Sequence, residues 1–61
     1  MTREMWIKQC AHRLISLYGY GYLDADEMAQ ELAGRQAERY GDVSHWMPPF
    51  AAADECGRDG E

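Results

Sequence analysis

Apolar and polar positions alternate with a helical period over two long stretches of the chain, and a third, shorter stretch follows a pair of prolines. In the first, Trp6, Ile7, Cys10, Ala11, Leu14, Leu17 and Tyr18 fall on one face, with Ile15 at its edge. Lys8, Gln9, His12 and Ser16 lie opposite, and Met5 falls on the polar side. Thr2 has the side chain of an N-cap, so the pattern predicts a helix from about Arg3 to Tyr18. Gly19-Tyr20-Gly21-Tyr22 then breaks the period, with Gly19 suited to the left-handed closing position of a helix.

The second stretch predicts a helix over about 25–40. Ala25, Met28, Ala29, Leu32, Ala33, Gln36 and Tyr40 share its inner face, and Glu27, Gln30, Glu31, Gly34 and Glu38 the outer one. Asp24 reads as N-cap, with Glu27 three residues on completing a capping box. Leu23 and Met28 have the spacing of a hydrophobic staple. Asp26 and Glu27 suit the positive end of the helix dipole, Glu31 and Arg35 form an i, i+4 pair, and Gly41 is the stop. Alanines at 25, 29 and 33 leave room for a bulky partner helix to come close. Gly34 reads either as a tolerated surface glycine or as the mark of a close contact on the outer face. The short connection predicts an antiparallel αα-hairpin.

After Gly41 the chain reads DVSHWMPPFAAADECGRDGE. Pro48 and Pro49 impose an extended segment and then suit a first helical turn. A short third helix over about 49–56 is expected, stopped by Gly57, with residues 57–61 as a disordered tail. Two readings of Trp46, Met47 and Phe50 stay open: Trp46 and Phe50 fold back over the open side of the hairpin, or the proline-rich run is a docking motif with bulky anchors. The tyrosines of the connection divide the same way, between capping the core and standing out as contacts. The fold class expected is therefore all-α, a helical hairpin with a short third helix after a Pro-Pro turn, in one small domain.

Composition narrows the function classes. Sixty-one residues with 46% hydrophobic content and seven aromatics argue against full disorder. The net charge is −5 and unevenly spread: residues 1–23 hold three cations against one acid, and residues 24–61 three cations against ten acids. Such a chain is a poor match for a phosphate backbone, so no direct nucleic-acid binding is expected. The N-terminal MTREMWIKQC lacks the apolar core of an export signal, and no run approaches a membrane span. The expectation is a cytoplasmic protein with reduced thiols and no membrane partner.

Candidate chemistry is thin. Cys10, His12, His45 and Cys56 have the residue types of a zinc site, but Cys10 and His12 point to different sides of one helix, and no metal is expected. A Cys10–Cys56 disulfide would need an oxidising compartment. Cys–His catalysis needs a third orienting group and a pocket, of the usual ~300 Å3 or more, and a chain of this size has little room for either. Neither an enzymatic activity nor a cofactor is expected. Asp24, Asp26 and Glu27 are explained by capping. Asp54 and Glu55, late in a short helix, oppose its dipole and have no stabilising role in the sequence, so a basic partner is one explanation for them.

M-T-R-E-x-W over Met1–Trp6 with C-A-x-R-L at Cys10–Leu14, A-x-x-L-A-x-x-Q-A-E-x-Y-G over Ala29–Gly41, and Trp46, Pro48 and the run Ala52–Glu55 together cover most of the chain. In these motifs it resembles a loose group of very short, uncharacterised proteins encoded in bacteriophages and proteobacterial prophages. The resemblance implies a context rather than a chemistry: accessory genes whose small products act by binding host or phage proteins. The function expected is a non-enzymatic, acidic protein-binding module with a basic partner. Its candidate contacts are Tyr20, Tyr22, Glu27, Glu31, Glu38, Trp46, Asp54 and Glu55. The alternative is a structural homodimer or assembly subunit that pairs through the Ala25/Ala29/Ala33 face or the tyrosine connection.

Overall fold

The structure, a computed structural model, describes residues 1–59. It is all-α. Helix α1 spans Arg3–Tyr18, α2 Tyr22–Tyr40, and α3 Pro49–Asp59, with a short 3-10 turn at Val43–His45 between α2 and α3. Helix α1 is the central element: it packs against both α2 and α3, which barely meet each other.

Helix α1 begins and ends where its sequence dictates. The Thr2 hydroxyl accepts the Met5 N–H at 3.2 Å, satisfying a donor that has no partner inside the helix. At the other end Gly19 takes a left-handed φ of 71°, and the Tyr20 N–H reaches back to the Leu14 carbonyl at 3.2 Å. Between them Trp6, Cys10 and Leu14, spaced four residues apart, form a fully buried row. Leu17 was expected on that face but is 56% exposed, because neither neighbouring helix covers its side of the last turn.

Helix α2 starts one turn earlier than its capping pattern predicts. Gly21 is the N-cap, in extended conformation, and its carbonyl accepts the Ala25 N–H at 2.8 Å. Glycine is an acceptable N-cap without a side chain, so the helix extends back through Tyr22 and Leu23. Asp24 therefore lies inside the first turn, where it favours the dipole but caps nothing. The expected staple is absent too: Leu23 is 83% exposed. The inner face holds as read at Ala25, Ala29, Leu32, Ala33 and Gln36, all buried, whereas Tyr40 is exposed. Gly34 has open space where a Cβ would stand, so no close contact among the described residues requires a glycine there. Gly41 ends the helix with φ 76°, its N–H bonded to the Ala37 carbonyl at 2.9 Å.

The connection to α3 is held by its backbone. The Trp6 indole N–H donates to the Met47 carbonyl at 2.9 Å, and the Met47 N–H donates to Gln36 Oε1 at 3.1 Å. One residue of the linker is thus gripped from α1 on one side and α2 on the other. Trp46 folds back as one reading expected: its ring meets that of Trp6 edge-on, centroids 5.2 Å apart, and its indole N–H bonds to the Gly41 carbonyl at 2.9 Å. Phe50 does not fold back. It is 48% exposed, with the Arg13 guanidinium 5.3 Å from its ring centroid. The inner face of α3 is made instead of small buried residues, Pro49, Ala52, Ala53 and Gly57, which let the helix sit close to α1.

Gly57 is not a stop. Helix α3 continues through it to Asp59, so the expected tail is helical as far as it is described; Gly60 and Glu61 lie outside the described residues. A Cβ at Gly57 would stand 2.7 Å from three ring carbons of Tyr18, so the glycine is where α3 presses on the end of α1.

Candidate functional site

Asp54 is occupied within the chain. Its carboxylate accepts two bonds from the Arg13 guanidinium, at 3.1 and 3.3 Å, and a third from the Tyr18 hydroxyl at 2.8 Å. Because α3 runs three residues further than expected, Asp54 lies in mid-helix, where the dipole matters little. Arg13 and then Tyr18 hold its carboxyl below the usual carboxylate range, and the same bond raises the Tyr18 hydroxyl. The residue proposed from sequence as a contact for a basic partner is a clamp between α1 and α3. Glu55 beside it is exposed.

Tyr20 and Tyr22 separate into the two roles left open for them. Tyr20 packs partly on the core, its hydroxyl 3.9 Å from Cys56 Sγ. Tyr22 is 82% exposed and stands beside the equally exposed Leu23. Asp24 follows in the same turn and Asp26 and Glu27 in the next, all exposed, with the Asp26 carboxylate accepting the Gln30 amide at 2.8 Å. Leu17, on the other side of the turn, adds a third exposed apolar side chain at this end of the hairpin. The result is an apolar tip with an acidic rim. Sequence reasoning named Tyr22 and missed Leu23, which it had assigned to a staple. Two adjacent apolar residues after a possible glycine cap were the signal.

Further along α2 the outer face carries Glu27, Glu31 and Glu38, all exposed. Glu31 meets Arg35 at 3.8 Å, both well exposed, a loose pair of the kind that contributes little. Trp46 is half-buried on Trp6 rather than free as bait. Ala25, Ala29 and Ala33 are fully buried under α1, so the face proposed for pairing two copies is already covered.

An open cleft of about 390 Å3 lies between α2 and α3. Its α2 side carries Arg35, Gln36 and Arg39, and its apolar surface comes from Met28, Leu32 and Ala52. Glu55, Cys56 and Tyr20 complete it. The volume passes the ~300 Å3 at which small-molecule pockets begin, so size alone reopens the enzyme reading. Among the described residues the lining pairs no histidine with Cys56: His12 and His45 lie elsewhere, and the Cys56 thiol has the Tyr20 hydroxyl beside it. Both cysteines are free thiols. Burial, with a smaller contribution from Cys56, pushes the Cys10 thiol up to about 11. Among the described residues no group of three or more His, Cys, Asp or Glu side chains is placed to hold a metal ion, and no helix is long and apolar enough to cross a membrane.

No protein-family model matches the chain, and no curated protein or solved structure matches it.

Proposed function

We propose that this chain is a non-enzymatic protein-binding module of the cytoplasm, a phage or prophage accessory factor that docks through the tip of its hairpin. The observation that carries this reading is the pair Tyr22 and Leu23, 82% and 83% exposed at the start of a helix and followed by Asp24, Asp26 and Glu27. Large side chains left in water at a well-formed helix start gain nothing for the fold. They gain contact area when a partner covers them, and tyrosine does so at little conformational cost. The acidic rim selects the partner: a protein with an apolar recess bordered by Lys and Arg. Charge of this kind speeds encounter and rejects like-charged surfaces. A second copy of the chain is disfavoured by the same rim, since pairing two tips would bring like charges together. One form of the function is an inhibitor that masks the basic surface of a nucleic-acid-binding protein.

The test is capture from a host lysate on immobilised chain, with the double variant Tyr22→Ser/Leu23→Ser alongside. The expected result is one protein retained in stoichiometric amount by the natural chain, lost with the double variant, and released as salt rises. Equal capture by the double variant, or a complex indifferent to salt, would overturn the proposal. Circular dichroism of the variant checks that its helices are intact, as they should be for two exposed positions.

A further inference from the structure

The cleft between α2 and α3 is distinct from the hairpin tip, and its chemistry differs from the rest of the surface. The chain carries −5 overall, and its residues 24–61 hold only three cations. Two of those, Arg35 and Arg39, stand one helical turn apart on one wall of this cleft, facing a single carboxylate, Glu55, across it. Among the described residues Arg35 is engaged only by the loose 3.8 Å contact with Glu31. Arg39 has no carboxylate within salt-bridge distance among the described residues; its guanidinium lies 6.0 Å from the Tyr40 ring centroid. Between the two arginines is Gln36, 9% exposed and lining the same cleft. Its Oε1 is taken by the Met47 N–H, which fixes the amide orientation and leaves the Nε2 donors without a partner among the described residues. The wall is therefore a row of hydrogen-bond donors, and beside it Met28, Leu32 and Ala52 supply an apolar surface.

We infer that this cleft binds a small carboxylate with an apolar body. The carboxylate would take the guanidinium forks of Arg35 and Arg39 and the Gln36 amide, a donor set matched to a planar anion. The hydrocarbon would lie on Leu32, Met28 and Ala52. Glu55 on the opposite wall sets the orientation, since it repels an anion turned the other way. A cleft of about 390 Å3 is at the small end of the range for ligand pockets, which suits a short-chain or single-ring acid.

Octanoate is the probe, titrated into the isotopically labelled full chain and followed by amide resonances, with octan-1-ol as the neutral control. The expected result is saturable shifts at Leu32, Arg35, Gln36, Arg39 and Ala52, with octan-1-ol binding at least about fivefold more weakly. Arg39→Gln and Arg35→Gln should each weaken octanoate by roughly threefold to tenfold, the range for losing a charge-assisted contact in a half-open site. Octan-1-ol binding as tightly as octanoate would overturn the inference, because the donors would then be idle. Shifts centred on Tyr22 and Leu23, or unchanged affinity in both arginine variants, would overturn it as well. Both arginines are exposed, so their replacement leaves the core untouched, and the control with the alcohol needs no variant.

Discussion

The two seams along α1 are built differently. Against α2 the contact is apolar and smooth: Ala25, Ala29 and Ala33 lie under the row Trp6, Cys10 and Leu14, and no side-chain hydrogen bond joins α1 to α2 among the described residues. Against α3 the contact is again made by small residues, Ala52, Ala53 and Gly57, but a polar clamp is added. Arg13 and Tyr18 hold Asp54 from two directions, and the Tyr18 ring lies flush against Gly57. A 19-residue helix has enough apolar face to hold itself on α1. An 11-residue helix whose buried face holds only Pro49, Ala52, Ala53 and Gly57 does not, and directional bonds fix its position instead.

Substitutions separate the two seams. The largest effect is expected at the smooth one: Ala29→Leu inserts a side chain where there is no space and should cost about 2–3 kcal/mol in denaturant unfolding. Next is Gly57→Ala. Its methyl meets the Tyr18 ring, and the ring cannot swing aside freely while its hydroxyl is held by Asp54. Helix propensity returns part of the loss, so a net cost of about 1 kcal/mol is expected. Releasing the ring with Tyr18→Phe should reduce that cost, and a double-mutant cycle that finds the two changes additive would contradict the coupling. Gly34→Ala is the opposite control: with open space at the Cβ it should stabilise by up to about 1 kcal/mol.

The smallest and most condition-dependent effect belongs to the clamp itself. Asp54 has its carboxyl lowered in the folded chain by Arg13 and Tyr18. Its contribution is therefore complete above the unfolded carboxylate value of about 4 and disappears as pH falls through the lowered folded value. Asp54→Asn should lower the melting temperature slightly at pH 7, and the difference from the natural chain should shrink as the pH is taken below 4. A difference that stays constant over that range would mean that the ion pair contributes nothing.

Legibility in the sequence follows the same division. The α1–α2 seam was readable because it rests on periodicity: the buried row of α1 and the alanines of α2 both repeat at helical spacing, and Thr2 and Gly19 punctuate α1. The α1–α3 seam was not. Gly57 looks like a stop signal in one dimension, and its role as a close approach exists only once the Tyr18 ring is placed against it. Asp54 looked unexplained because its partners are 41 and 36 residues away. The start of α2 was misread because the Asp24–Glu27 pattern is locally attractive, yet Gly21 caps the helix a turn earlier. For the same reason Leu23 was placed in a staple and not at the tip. The cleft was invisible, since Arg35 and Arg39 become one wall of a site only when α3 supplies the other.

The central claim is that one chain closes its own core and keeps the Tyr22–Leu23 tip for a different protein. Sedimentation equilibrium across a wide range of concentrations, with helicity followed by circular dichroism on the same samples, tests it most directly. The account predicts the mass of a single chain throughout, with helicity unchanged on dilution. A dimer that loses helicity as it dissociates, and that Leu23→Ser disrupts, would contradict it: the tip would then belong to a second copy of the chain.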